Sequence, residues 1–341
     1  MFSSALLLSA ILSGCEQNST IASLKQYQQR LANVLDIPSP DLPEPNVIPF
    51  PDKRDLYIPI DDIRINLIDA YELRKCGLFN LIAERNSILG KVQDKTRQLR
   101  YEIMLTNGLQ YCIQNLPADS TLIHTLQDIH KQKQTQLPLH IWNMLTTGQE
   151  WRQQWVIHHQ VFPLTSFYGF DELMGAISYL TLINAQIEKA KYIENTELER
   201  LLTHQQTLHP FHYFGQLIYS METAIVWLNS ITSMLADQQQ HIICGKNHNQ
   251  QKAEYLSNVF YKFFAKDIQP YLAKLDSQYN QIQPELNELF SSQLEQHLHL
   301  QGYYNHYLTN ELQLRFRTAT LNHVEQWKQI FQRCNIKVGT R

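Results

Sequence analysis

Residues 217–235, LIYSMETAIVWLNSITSML, come nearer to a membrane span than anything else after the first dozen residues. The run is long enough to cross a bilayer core of about 30 Å as a helix. It also carries Glu222, Asn229 and several hydroxyls, so it reads as the buried core helix of a water-facing body. Outward from it the pattern stays helical, with helices expected over 61–75, 78–92, 94–116, 119–134, 138–147, 149–159, 171–205, 211–238, 249–279, 284–307 and 310–334. The boundaries rest on punctuation by Pro117, Pro138, Gly148, Pro163, Gly169, Pro210, Gly245 and Pro284. No convincing period-two alternation exists, and Leu56–Ile60 is at most a short edge strand. The expected class is all-α, with one helical body over 61–341 and no solenoid repeat.

The 341 residues suffice for a sizeable core, and 43% hydrophobic with 11% aromatic content excludes wholesale disorder. Only 18% are charged, below the usual quarter, and the polar surface is filled by Gln, Asn, Ser and Thr instead. A net charge of -3 leaves no basic field for nucleic acid. Eleven glycines leave no room for a phosphate-cradling loop. There is no G-x-S-x-G, P-loop or dinucleotide fingerprint, and no cofactor is implied.

The first residues set an address. FSSALLLSAIL (2–12) is too short to span a bilayer but suits the apolar core of a leader, and it ends in Leu12-Ser13-Gly14-Cys15. That ending resembles the lipobox of bacterial lipoproteins. The resemblance implies a signal peptide over 1–14 and a mature chain that begins at Cys15, diacylated on sulfur and acylated on its amine. No Lys or Arg precedes the apolar run, which departs from the usual leader. Several acyl chains, at about 0.8 kcal/mol per buried CH2, hold a protein firmly. Glu16 stands where Asp would suggest inner-membrane retention, so the expected place is the outer membrane with the body in the periplasm. In that oxidising space Cys76, Cys112, Cys244 and Cys334 form an even set. The favoured pairs are Cys76–Cys112 and Cys244–Cys334, each worth about 2–4 kcal/mol, and no clustered spacing suggests a metal site.

Residues 15–36 hold the lipidated end and a first helix, with Ile21, Leu24, Tyr27, Leu31, Val34 and Leu35 at helical spacing. The lipoprotein tether is therefore nearly absent. Residues 37–60 are a Pro-rich strap, too dense in proline for helix and interleaved with Ile37, Leu42, Val47, Ile48 and Phe50, so it packs along the body.

Between Arg54 and Lys91 lies the most informative stretch. On one helix over 78–92, a stripe carries Leu78, Leu81, Ile82, Arg85, Ile88, Leu89 and Val92, opposite Asn80, Glu84, Ser87 and Lys91. Arg85 interrupts that stripe, and a stranded buried charge costs several kcal/mol. It is either paired with a carboxylate such as Asp55, Asp61, Asp62, Asp69 or Glu72, or it is an anion contact in a cleft. Glu84, Asn86 and Lys91 are the other candidate ligand contacts. Ser87 and Lys91 lack the S-x-x-K spacing of known nucleophile pairs. The histidine pairs His158-His159, His209-x-x-His212 and His297-x-His299 lack the i,i+4 spacing of a helical zinc site.

The pieces Arg54-Asp55-Leu56, Pro59 to Arg64, Cys76-Gly77-Leu78, Leu81 to Ser87 and Leu89-Gly90-Lys91 together resemble a family of uncharacterised Gram-negative lipoproteins, known only as a domain of unknown function. The resemblance brings no activity, ligand or catalytic residue. The first expectation is a non-catalytic membrane-anchored envelope protein that binds another envelope protein. The alternatives are a helical binding protein with an apolar cleft for a lipid or glycan-type ligand, or an enzyme of unrecognised type.

Overall fold

A computed structural model describes residues 19–42, 44–63, 73–117, 119–244, 250–291, 294 and 297–336. The signal peptide, Cys15, Asp69 and Glu72 lie outside them. The described residues form a helical body without strands. In chain order the helices are α1 (Ser19–Leu35), α2 (Lys53–Leu56), a 3-10 turn (Leu73–Cys76), α3 (Leu78–Asn86), α4 (Ile88–Lys91), α5 (Lys95–Asn115), α6 (Leu122–Thr147), α7 (Gln149–Trp155), α8 (Phe170–Glu188), α9 (Asn195–Leu208), α10 (Tyr213–Asp237), α11 (Gln251–Val259), α12 (Gln269–Ser291), α13 (Leu298–Tyr303) and α14 (Glu311–Arg333). π-helical turns join α11 to α12 (Phe260–Ile268) and follow α13 (Tyr304–Leu308). Among the described residues no helix is long and apolar enough to cross a membrane.

The 217–235 run is the centre of α10, with Leu217, Ile218, Met221 and Leu235 fully buried. Its buried Glu222 is neutralised by a two-pronged pair from Arg315 on α14, which settles why a carboxylate is tolerated there. α1 is locked to the same pair of helices. Trp327 Nε1 donates to Tyr27 Oη at 2.8 Å, and Tyr27 Oη lies 2.9 Å from His323 Nε2. His323 Nδ1 sits 3.0 Å from Thr232 Oγ1, whose own proton goes to the Leu228 carbonyl, so the imidazole carries its proton on Nδ1.

Several expected boundaries give way to tertiary packing. Pro138 lies inside α6 and Pro284 inside α12. Each removes one backbone bond, but the neighbouring apolar positions (Leu137 and Ile141, Ile282 and Leu286) are buried, and that burial carries the helix through. The expected 171–205 helix is two. Ala190 turns with a φ of 50, and Glu194 and Glu197 form a capping box that starts α9. Of the expected 284–307 helix, the described residues place 284–291 at the end of α12 and Leu298–Tyr303 in α13.

The Pro-rich segment is not uniformly extended, since α2 makes one turn within it. Elsewhere its backbone is held by side chains of the body. Tyr307 Oη accepts from Ile48 N–H at 2.8 Å, Trp142 Nε1 donates to the Leu56 carbonyl at 2.6 Å, and the Asn143 amide takes both backbone groups of Ile58 at 2.9 and 2.8 Å. These bonds do what a sheet neighbour would do, and Leu56–Ile60 therefore needs no strand partner. Both disulfides are formed as paired above, Cys76–Cys112 with Cα atoms 5.3 Å apart and Cys244–Cys334 at 5.0 Å.

Candidate functional site

The core divides into a large cluster and a small satellite around Leu73, Leu78, Leu105, Leu109, Leu126 and Ile129, stapled by Cys76–Cys112. Where satellite and main cluster meet, between the Pro-rich segment, α3 and the antiparallel pair α5–α6, lies a cavity of about 630 Å3, within the range of small-molecule sites.

Arg85 reaches the cavity because its helix stops. Ser87 caps α4, its Oγ accepting from Gly90 N–H at 3.0 Å, so 78–92 is an elbow and not one helix. Gly90 is required there: a Cβ would stand 2.3 Å from the Glu84 carbonyl oxygen and 2.5 Å from that of Arg85. The Arg85 guanidinium donates to the Gly90 carbonyl and lies 5.6 Å from the centre of the Tyr101 ring. The elbow overturns the expected stripe. Ile88, Leu89 and Val92 are 84, 79 and 76% exposed, while Leu78 alone of the stripe is buried.

α5 contributes Lys95, Gln98, Tyr101 and Glu102, one face at i, i+3, i+6 and i+7 spacing. Lys95 Nζ is held by the Gln98 amide oxygen at 3.1 Å and rests 5.4 Å from the centre of the Tyr57 ring. Burial, reinforced by the Arg85 charge, lowers its pKa. Among the described residues neither Arg85 nor Lys95 forms an ion pair, so two cations face the same space without a carboxylate partner. Lys91 and Asn86 also line the cavity, whereas Glu84 is exposed and lies off it.

At the inner end, Lys133 on α6 pairs with Glu102 on α5 at 2.7 Å, both side chains about nine-tenths buried. His140, two turns along α6, has Nε2 4.0 Å from Glu102 Oε1 and no hydrogen-bond partner for that atom among the described residues. Burial, with Lys133, Lys95 and Arg85 added, outweighs the pull of Glu102 and brings its pKa down to about 4. The imidazole is neutral at physiological pH; the residue lines the cavity, while its Nε2 is covered by the surrounding side chains. Burial, then the Glu102 charge, pushes the Tyr101 phenol up to about 12.

Four cations line the cavity against the carboxylates of Asp61, Asp62 and Glu102. The lining is polar, unlike the apolar cleft the sequence suggested. Of the candidate contacts Arg85, Asn86 and Lys91 come together; Lys95, Glu102, Lys133 and His140 were missed. A signal for them exists, since Lys133, His140 and Asn143 recur at seven and three residues along a buried face of α6.

Other features are less developed. A wider groove of about 850 Å3 runs between α1 and α11, with Arg30, Lys252 and Lys262 beside Tyr255 and Phe263. His158 stacks on His212 at 5.0 Å, joining two pairs that the sequence keeps apart. Among the described residues no group of three His, Cys, Asp or Glu side chains could hold a metal ion.

No curated protein and no solved structure matches this chain. A model for proteins of unknown function, DUF3080, matches residues 24–338, which takes in both core clusters and the whole cavity. With the expected family segment built into the cavity wall and the match spanning nearly the full length, the chain belongs to the DUF3080 family of proteins of unknown function.

Proposed function

We propose that this protein is a lipid-anchored component of the Gram-negative envelope, held at the outer membrane through Cys15, whose body is a non-catalytic receptor for a small anionic ligand. The observation that carries the ligand reading is the Arg85–Lys95 couple, which has no ion-pair partner among the described residues. Like charges held together in a partly desolvated space repel, and an anion between them repays that repulsion. The leader, the Leu-Ser-Gly-Cys motif and the even set of paired cysteines support the address.

The test is native mass spectrometry of the mature protein extracted from envelopes in mild detergent, wild type beside Arg85→Ala. A co-purifying acidic species present on the wild type and lost from a folded Arg85→Ala supports the reading. Identical spectra from the two would overturn it.

A second reading, an envelope protein as partner, is favoured by one feature: Ile88, Leu89 and Val92 form an exposed apolar tip on the α3–α4 elbow. Crosslinking in intact cells with Leu89→Ser against wild type tests it. A defined protein adduct lost in the variant favours a partner at the tip.

A further inference from the structure

A membrane-facing surface follows from chain length, and it rests on the proposed lipidation of Cys15. Residues 16–18 alone separate Cys15 from Ser19, where α1 begins. However those residues run, the two Cα atoms lie within about 14 Å of one another. The start of α1 is in turn fixed to the body. Thr20 is fully buried and its Oγ1 donates to the Phe162 carbonyl at 2.7 Å. Phe162 N–H donates to Ser220 Oγ on α10 at 3.0 Å. Whatever Cys15 is embedded in must therefore meet the body close to Phe162.

Phe162 opens the stretch FPLTSFYGF (162–170), nine residues without a charged side chain. It is a built surface. Phe167 packs on Phe162 at 5.1 Å and on Tyr271 at 5.7 Å, and Gly169 turns at a φ of 100 over the Phe211 ring, where a Cβ would come within 2.9 Å. That framework presents Tyr168 outward, 82% exposed, with Pro163 also exposed and Leu164 half-buried. Lys274 lies 5.9 Å from the centre of the Phe170 ring and supplies a cation at the edge. Asp171 and Glu172 end the uncharged stretch on the first turn of α8, where the helix dipole favours them.

We infer that the Phe162–Phe170 surface is the face apposed to the phospholipid bilayer, with Tyr168 seated in the headgroup layer. A tyrosine suits that layer because its ring is apolar and its hydroxyl finds water or phosphate. A neighbouring lysine suits anionic headgroups in the same way. The acyl chains supply attachment, and this surface supplies orientation, which a tether of only three residues makes enforceable.

The test places a photoreactive benzophenone amino acid at Tyr168, or at Tyr192 as the comparison, in otherwise intact protein in cells. Tyr192 follows the far end of α8, a helix about 28 Å long. Mass spectrometry of the mature N-terminal peptide first establishes whether Cys15 is acylated. With acylation present, phospholipid adducts at 168, few at 192, and loss of the 168 adduct in Cys15→Ala are expected. Acylated protein that gives no lipid adduct at 168, equal adducts at both positions, or a protein adduct at 168 in place of lipid would overturn the surface while leaving the anchor standing. An unacylated Cys15 would overturn both.

Discussion

His323 is fully buried and His140 partly buried, and burial holds both below the ordinary histidine pKa, at about 3 and about 4. Their surroundings differ. In the large cluster, His323 has a partner on each ring nitrogen, and those partners, Tyr27, Trp327 and Thr232, tie α1, α10 and α14 together. At the border of the small cluster, His140 Nε2 has no hydrogen-bond partner among the described residues beside a Lys133–Glu102 pair, and further out Arg85 and Lys95 form no ion pair among them. One region consumes its polar groups internally, and its chemistry is structural. The other leaves polar capacity facing a cavity, which is the state expected of a binding site.

The largest effect expected in that contrast is at Lys133. Replacing it by Met leaves Glu102 buried and unpaired, so Lys133→Met should lower the unfolding free energy by about 3–5 kcal/mol, measured by urea denaturation. Adding Glu102→Gln should recover most of the loss. A small loss in the single variant would mean that water already reaches the pair.

The staple of the small cluster comes next. Replacing Cys76 and Cys112 together by Ala should cost about 2–4 kcal/mol. Hydrogen exchange should show α3 and the end of α5 opening first while α10 and α14 keep their protection. Uniform loss across both clusters would break the division drawn here.

Protons discriminate the two histidines. Each binds its proton more weakly folded than unfolded, so the unfolded chain holds more protons between the two pKa values and stability rises with pH there. The contribution is present above about pH 6.5 and is lost as pH falls through the window down to about 3 for His323 and about 4 for His140, at most about 1.4 kcal/mol per pH unit each. His323→Gln should flatten the slope and destabilise at neutral pH, because Gln cannot meet three partners on three helices. His140→Gln should flatten it with little loss at neutral pH. Equal neutral-pH losses would erase the comparison.

The smallest effect is at Lys95. Without ligand, Lys95→Gln removes one of two repelling charges, and stability should stay within about 0.5 kcal/mol of wild type or rise. A loss comparable to that of Lys133→Met would show Lys95 to be part of an internal pair.

Periodicity and compartment chemistry made the helical class and the disulfide pairing legible in the sequence. Arg85 was legible because a guanidinium interrupting an apolar run demands an explanation. The elbow was not read, although Ser87 and Gly90 encode it, because the apolar spacing continues smoothly across Ile88, Leu89 and Val92 while the backbone does not. Pro138 and Pro284 misled for the opposite reason: local breakers overruled by burial on either side. The buried end of the cavity depends on α5 lying against α6, which brings Glu102 to Lys133 across 31 residues, and no local spacing announces such a pairing.

The most direct test of the anion site is calorimetric titration of the mature protein with inorganic pyrophosphate and, separately, with a neutral disaccharide, in wild type and in Lys95→Gln. The account predicts heat with pyrophosphate only, weakened by salt and lost in a folded Lys95→Gln. Binding of the disaccharide alone, or pyrophosphate binding unchanged in the variant, would contradict it.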